Sequence, residues 1–218
     1  MEAMNSNVAL EELERFRSIQ WLHNHWSGPV SPRSYYWYLT FENNPELHSL
    51  AGQCQQEIDF PYYDLTPICD LHLTLDKIAP IQDITPERLD AIELAAMRAC
   101  ATFPEIEIIV GGLGGTRGAI GFSAYPAQSI RELRDALRVA TLSVCPDLSA
   151  RSAKFHPHVT IAYANSDDVP AAEAITAVEK LNPSAHVNVT ITHATLVLLE
   201  RRPRSYAWQA VRQVPLLG

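Results

Sequence analysis

LHLTL (Leu71–Leu75) and PHVTI (Pro157–Ile161) have the same form: an apolar residue, a histidine, an apolar residue, a threonine and an apolar residue, with proline as the first residue of the second copy. Such alternation is typical of a strand with one buried face, and residues two apart on a strand point to the same side. Each stretch therefore predicts one imidazole and one hydroxyl side by side. Two such pairs, one in each half of the chain, could flank a single phosphate group.

The His-x-Thr triplet is a weak signal by itself, because a third copy occurs at residues 193–195. The flanks of His193 are less apolar, and we interpret this histidine as structural. The alternative for His72 and His158 is a pair of half-buried strand histidines hydrogen bonded to the backbone. Thr74 and Thr160 could likewise be ordinary strand residues. The apolar alternation around both copies favours the functional interpretation.

Composition restricts the class of protein and of partner. The chain has 218 residues, 47% of them hydrophobic, and a formal net charge of −8. This length fits one domain or two closely packed lobes. The acidic balance argues against a protein that grips long double-stranded nucleic acid through many phosphate contacts. It allows a small nucleotide or an RNA end held by a few residues.

Neither the cysteines nor the N-terminal residues indicate a metal or redox motif, a signal peptide or a membrane span. The four cysteines have no two members within four positions of each other, which excludes Cys-x-x-Cys knuckles and redox motifs. We see no apolar run of signal-peptide or membrane-span length, so we expect a cytoplasmic monomer without a membrane partner. We predict an N-terminal helical extension over residues 1–33 and a single bilobal domain over residues 34–218.

The order of elements predicts an α+β fold. Helices are predicted at 8–22, 45–57, 85–101, 129–144 and from Asp167 or Asp168 to 180, and strands at 35–41, 70–78, 105–110, 119–125, 158–163, 186–192, 194–200 and 206–211. We predict loops at 23–33 and 60–67 and a hairpin turn over the glycine run 111–115. Each half has a His-x-Thr strand followed by a capped helix. This order predicts two lobes whose motif strands face each other across a cleft.

With these motifs, the chain resembles the 2H phosphoesterase superfamily, in its bacterial 2′-5′ RNA ligase-like (RNA 2′,3′-cyclic phosphodiesterase) branch. Besides the two motifs, the resemblance rests on the Gly-Leu-Gly stretch, the strand at 119–125 with its following helix, and Trp208, and it covers residues 34–213. It implies a bilobal duplicated fold, with two antiparallel sheets facing a central cleft and helices packed outside. It also implies that His72 and His158 are catalytic and that Thr74 and Thr160 contact phosphate. Many relatives carry an arginine shortly after the second motif, where this chain has Ala162-Tyr163-Ala164-Asn165.

The residue types suit hydrolysis of a 2′,3′-cyclic phosphate. Imidazole can act as base or acid near neutral pH, and threonine hydroxyls can donate to the non-bridging oxygens. No metal or other cofactor is expected, and the sequence does not say which histidine is the base. The same geometry run backwards would be 2′-5′ ligation. The alternatives are a non-catalytic nucleotide- or RNA-binding module, and a phosphodiesterase for another small cyclic phosphate or a cyclic oligonucleotide.

Several further side chains are candidates for substrate contacts. Phe155, Tyr163, Tyr125 and Tyr35 could stack on a base, although core packing is the better explanation for each one taken singly. Lys154 and Arg117 could contact phosphate, or they could be solvated surface charges. The pairs His156 with His158 and His23 with His25 have a spacing that allows metal binding, but no third ligand is evident nearby in the sequence.

Overall fold

The computed structural model describes residues 2–148, 155–181 and 186–218, and it describes side chains from Leu10 onward within these ranges. The helices are α1 (Glu2–Arg17), α2 (Pro45–Glu57), α3 (Pro86–Cys100), α4 (Ala127–Val144) and α5 (Ala172–Lys180), with 3-10 turns at Ile68–Asp70 and Ile81–Asp83. The strands are β1 (Ser34–Thr40), β2 (Tyr63–Leu65), β3 (His72–Pro80), β4 (Ile106–Thr116), β5 (Ala119–Tyr125), β6 (His158–Ala164), β7 (His186–Ile191), β8 (His193–Arg202) and β9 (Ser205–Pro215).

The strands form two sheets, and neighbouring strands within each sheet are antiparallel. One sheet has the order β3-β1-β8-β9, and the other has the order β2-β6-β5-β4-β7. The two motif strands, β3 and β6, belong to different sheets and contact each other. The predicted α+β fold with two antiparallel sheets is therefore confirmed.

The helices cover the sheets from outside and share one hydrophobic core with them. The pair α3 and α4 packs together, with α3 also against β9 and α4 against β3. Thr85 caps α3 by accepting from the backbone N–H of Arg88, and Pro86 begins the helix. No helix in the described part of the chain is long and apolar enough to cross a membrane.

The aromatic strand β1 separates the core from the cleft. Trp37 is fully buried in the core, and its indole N–H donates to the Thr141 hydroxyl of α4 at 3.1 Å. Tyr36 and Tyr38 occupy the alternate positions and belong to a separate apolar cluster on the other face of the sheet. Since consecutive strand residues point to opposite faces, β1 contributes to the core and to the cleft at once.

The glycine run at 111–115 is part of strand β4, so its prediction as a hairpin turn was wrong. The chain reverses instead between Thr116 and Ala119. A Cβ atom at Gly115 would lie 2.6 Å from the Phe16 ring, and one at Gly114 would lie 3.0 Å from the Glu12 Cβ. Gly114 and Gly115 are therefore needed because helix α1 packs directly on the strand, not because the chain turns there.

Three other predicted elements were wrong in part. Helix α1 spans Glu2–Arg17 instead of 8–22, and the predicted loop at 60–67 contains the short strand β2. The last helix begins at Ala172, and neither Asp167 nor Asp168 caps it. Asp167 accepts from the Asn24 backbone N–H and pairs with His23, while Asp168 has a positive φ of 57°. Both aspartates thus belong to a turn that holds the N-terminal segment.

Candidate active site

A cleft of about 330 Å³ lies between the facing surfaces of the two sheets. The predicted motif residues line it together, although they come from strands in different sheets. Its lining consists of His25, Ser31, Pro32, Tyr36, Tyr38, His72, Thr74, Thr116, Ala119, His158, Thr160, Tyr163, Leu199, Arg201 and Tyr206.

The two motif histidines are held in the same way. Nδ1 of His72 lies 2.8 Å from the carbonyl oxygen of Asp70, and Nδ1 of His158 lies 2.7 Å from the carbonyl oxygen of His156. A carbonyl oxygen can only accept, so each Nδ1 carries the hydrogen and donates it. This leaves Nε2 of both rings for chemistry, in the tautomer that can accept a proton.

His72 is the more enclosed of the two rings. Its ring stacks on Tyr38 with centroids 4.2 Å apart and planes 5° from parallel, and Trp208 approaches edge-on at 6.1 Å. Burial and the charge of His158 lower the pKa of His72 to about 4, although its hydrogen bond to Asp70 acts in the opposite direction. His72 is therefore uncharged at neutral pH. Its counterpart His158 differs in burial, because the His158 side chain is exposed.

Each motif threonine has a tyrosine beside it. Thr74 is hydrogen bonded to the Tyr38 hydroxyl, and Thr160 to the Tyr163 hydroxyl. Burial raises the pKa of both tyrosines far above the usual value, so both phenols keep their protons at neutral pH. Whichever hydroxyl donates within a pair, the other one keeps a hydrogen that can point elsewhere. The arrangement can supply one O–H donor from each sheet to a bound anion.

Of the remaining candidates, the structure brings only Tyr163 into the cleft. Tyr35 packs in the hydrophobic core, and Tyr125 is buried. Arg117 donates from Nε to the Trp21 carbonyl oxygen at 3.1 Å and does not line the cleft. Phe155 lies beneath the Arg134 guanidinium, 4.7 Å from its carbon atom, in a groove that adjoins the cleft at His158 and Thr160. Lys154 lies outside the described residues.

The other histidines have different partners. His193 contacts the Thr192 hydroxyl and the Gln213 side chain, and it does not line the cleft. His23 pairs with Asp167 at 2.8 Å, and His25 Nε2 lies 2.8 Å from the Tyr206 hydroxyl. Within the described ranges, no three histidine, cysteine, aspartate or glutamate side chains are grouped so that they could hold a metal ion.

The N-terminal segment contributes cleft residues that sequence reasoning missed. Residues 22–26 run beside the second sheet: the backbone N–H of His25 donates to the Ala164 carbonyl at 2.8 Å, and the Trp26 indole donates to Asp64 at 2.9 Å. His25 thereby reaches the cleft, where burial and the charges of Arg201 and His23 lower its pKa to about 4. The domain boundary placed at residue 33 stays a prediction.

Further missed residues come from both sheets. Once the core face of β1 is known, the i, i+2 rule places Tyr36 and Tyr38 on the opposite face, at the cleft. The sequence does not show which face that is, because both faces of the strand carry aromatic residues. Arg201 and Tyr206 face each other across the hairpin of β8 and β9, and no local pattern distinguishes them. Only the assembled sheets place these four side chains around one cavity.

Comparison with known proteins agrees with this architecture. Residues 45–203 match the family model described as the 2′-5′ RNA ligase superfamily. Among solved structures, TT0787 of Thermus thermophilus is 17% identical with a TM-score of 0.67, covering 85% of this chain and 98% of its own. E. coli LigT complexed with NADP+ is 18% identical with a TM-score of 0.64, covering 86% and 100%. No curated protein matches the sequence.

Proposed function

The chain belongs to the 2′-5′ RNA ligase superfamily of 2H phosphoesterases, and from this premise we propose that it hydrolyses the 2′,3′-cyclic phosphate of a nucleotide or an RNA end. The superfamily places the chain among phosphoesterases and RNA ligase-like enzymes, which act on phosphodiester bonds. The finer assignment of substrate and residue roles is our proposal.

The main support for this proposal is that two imidazoles are held in the same way on the two sides of one cleft. His72 and His158 come from different sheets, each donates Nδ1–H to the carbonyl two residues earlier, and both line one cleft. In-line displacement at phosphorus needs a proton acceptor on the side of the attacking water and a proton donor on the side of the leaving oxygen. A bound cyclic phosphate between the two Nε2 atoms would have both.

The charge state of His72 supports a proposal for the two roles. Because burial keeps His72 uncharged at neutral pH, we assign it as the base that takes a proton from water. The water oxygen then forms a bond to phosphorus, and the bond from phosphorus to the 3′ oxygen breaks. His158, in its protonated form, gives its proton to that oxygen. The product is a 2′-phosphate with a 3′-hydroxyl, and the reverse sequence would be ligation.

The threonines complete the site as donors to the phosphate. Thr74 and Thr160 line the cleft from opposite sheets, so each hydroxyl can meet one non-bridging oxygen. The hydrogen bonds that these hydroxyls share with Tyr38 and Tyr163 restrict their orientation before substrate arrives. Donors already aimed at developing charge lower the barrier most, since they need no reorganisation during the reaction.

The proposed partner is a small nucleotide or a single RNA end bound by a monomer. The described part of the cleft has no aspartate or glutamate in its lining, although the chain as a whole is acidic. An anion is therefore favoured inside the cleft, while the rest of the surface repels a long polyanion. Tyr36 and Tyr163 form part of the cleft wall, against which a nucleobase would pack.

Hydrolysis of adenosine 2′,3′-cyclic phosphate and of an RNA with a cyclic-phosphate end tests the proposal. In EDTA, we expect turnover of at least one of them to a 2′-phosphate, identified by chromatography against the 2′ and 3′ isomers. Adenosine 3′,5′-cyclic phosphate serves as the control substrate and should not be consumed. Binding of both substrates without turnover would contradict the proposal and support a non-catalytic module. Turnover restricted to another cyclic phosphate or a cyclic oligonucleotide would contradict the substrate assignment.

The pH dependence should show the lowered pKa of His72. A base must be uncharged to act, so kcat/KM falls when pH drops through the pKa of that base. We expect the acidic limb to be centred near pH 4, where the pKa of His72 lies, instead of near 6.5, the value of an unperturbed imidazole. From about pH 5 to about pH 6.5 the enzyme should keep most of its activity.

The profile should be measured as kcat/KM in buffers of constant ionic strength. Circular dichroism at each pH serves as the control for acid unfolding. Samples returned to pH 7 after exposure should recover full activity. An acidic limb centred near 6.5 in a folded enzyme would contradict the assignment of His72 as the neutral base.

A further inference from the structure

Arg201 is held by backbone carbonyl oxygens. Its Nη1 and Nη2 groups donate to backbone carbonyl oxygens of Trp26, Gly28 and Pro29, with N–O distances of 2.8 Å to Trp26 and Gly28. Within the described residues, no carboxylate pairs with it. Arg138, Arg204 and Arg212 each have an aspartate or glutamate partner. The charge of Arg201 is thus held in place but not neutralised.

This uncompensated charge faces the cleft. Among the described lining residues, Arg201 is the only arginine or lysine, and no acidic side chain accompanies it. His25 beside it is uncharged, because burial and the charge of Arg201 itself lower the histidine pKa to about 4. Carbonyl dipoles fix the guanidinium without cancelling its field, so an anion in the cleft remains attracted to it.

The guanidinium also retains donors for a ligand. It has five N–H bonds, and three of them are used by the carbonyl oxygens of Trp26, Gly28 and Pro29. The buried Nε atom has no hydrogen-bond partner among the described residues. These three carbonyl contacts use both hydrogens of Nη1 and one hydrogen of Nη2. The second Nη2 hydrogen is the donor that we assign to a phosphate oxygen in the cleft.

Arg201 and the motif histidines reach the cleft from different strands. His72 pairs with Thr40 at one end of β1. The pairing of β1 with β8 ends with Ser34 and Leu199 at its other end, and Arg201 lies two residues beyond that pair. Arg201 therefore enters the cleft from the hairpin of β8 and β9, whereas His72 and His158 enter it on β3 and β6.

We propose that Arg201 forms a second anion-binding subsite, which takes a phosphate or diphosphate on the 5′ side of the nucleotide; this rests on the proposed function of the cleft. A 2′,3′-cyclic phosphate occupies both secondary hydroxyls of its ribose, so a further phosphate must be attached at the 5′ carbon. The preferred substrate is accordingly a 5′-phosphorylated nucleoside 2′,3′-cyclic phosphate or the 3′ end of a short RNA.

Ligand binding tests the subsite without requiring turnover. By calorimetry we would compare adenosine 2′-phosphate with adenosine 2′,5′-bisphosphate and adenosine 2′-phosphate 5′-diphosphate, using wild type, Arg201→Gln and Arg202→Gln. Arg202 is the matched control, since it is the next residue of β8 and is exposed. We expect at least one 5′-phosphorylated ligand to bind wild type about 10-fold to 100-fold more tightly, the range for a hydrogen bond to a charged group. Arg201→Gln should abolish this preference, and Arg202→Gln should keep it.

The ratio of affinities separates the subsite from a purely structural role. If Arg201 only fixed the loop at residues 26–29, its replacement would weaken all three ligands equally and leave the ratio unchanged, which would overturn the proposal. Equal binding of all three ligands by wild type would also overturn it. An Arg201-dependent preference in a protein that hydrolyses no cyclic phosphate would uphold the subsite and refute the proposed function. Hydrolysis without such a preference would do the reverse.

Discussion

Replacing either motif histidine by alanine should lower kcat for a 2′,3′-cyclic phosphate by about 100-fold or more, the usual contribution of one general acid or base. His72→Ala removes the group that accepts the proton of water, and His158→Ala removes the group that protonates the leaving oxygen. Both imidazoles lie at the cleft surface and not in the main core cluster, so the fold should survive either change. Initial rates at saturating substrate measure the effect.

His193→Ala is the matched control for these variants. His193 is also the histidine of a His-x-Thr triplet on a strand, but it lies outside the cleft lining. We expect its kcat to stay close to that of wild type. Thermal unfolding of all three variants would show that each is folded. If His193→Ala lost as much activity as the other two, or if His72→Ala and His158→Ala were fully active, the site would be misassigned.

Gly121→Ala should damage both stability and activity, because Gly121 is opposite Thr160 in the pairing of β5 with β6. A Cβ atom at this position would lie 2.5 Å from the Val159 carbonyl oxygen and 3.0 Å from the Thr160 Cα. Backbone atoms cannot rotate away, so β6 would have to shift together with its motif residues. We expect a loss of about 1–3 kcal/mol in the free energy of unfolding. A displacement of the catalytic groups by about 1 Å should lower kcat roughly 100-fold.

Gly52→Ala makes the same chemical change where there is room for it. Gly52 lies within helix α2, and nothing would come within 4 Å of an added Cβ atom. Alanine has the higher helix propensity, so this variant should be more stable by about 0.5–1 kcal/mol. Urea unfolding gives both values. Equal stability and activity in the two variants would contradict the close packing of β5 against the second motif.

The sequence predicted those parts of the fold whose signals are local. The alternation around His72 and His158 placed two strands, and Thr85 with Pro86 placed the start of α3. A short stretch in which apolar residues alternate fits few structures other than a strand with one buried face. The motif residues were accordingly found before the sheets were known, and the structure brings them to one cleft.

The missed features depend on contacts between distant segments. The glycines of β4 look like a turn in the sequence, because the reason for them is a contact with helix α1. Phe16, which makes this contact, is about a hundred positions away in the sequence. Tyr35 and Tyr36 are indistinguishable by type, and only the position of the core decides which one faces the cleft. Carbonyl oxygens of residues 26–29 hold the Arg201 guanidinium at the cleft. No spacing rule could predict these hydrogen bonds from the sequence.

The most direct test of the account is the activity of His72→Ala/His158→Ala beside the two single variants. If both histidines act on one phosphorus atom in a single step, removing the second group adds little once the first is gone. We therefore predict that kcat of the double variant lies within about 10-fold of the weaker single variant, which is strong non-additivity. Losses that multiply, so that the double variant falls by the product of the single effects, would contradict a shared reaction centre.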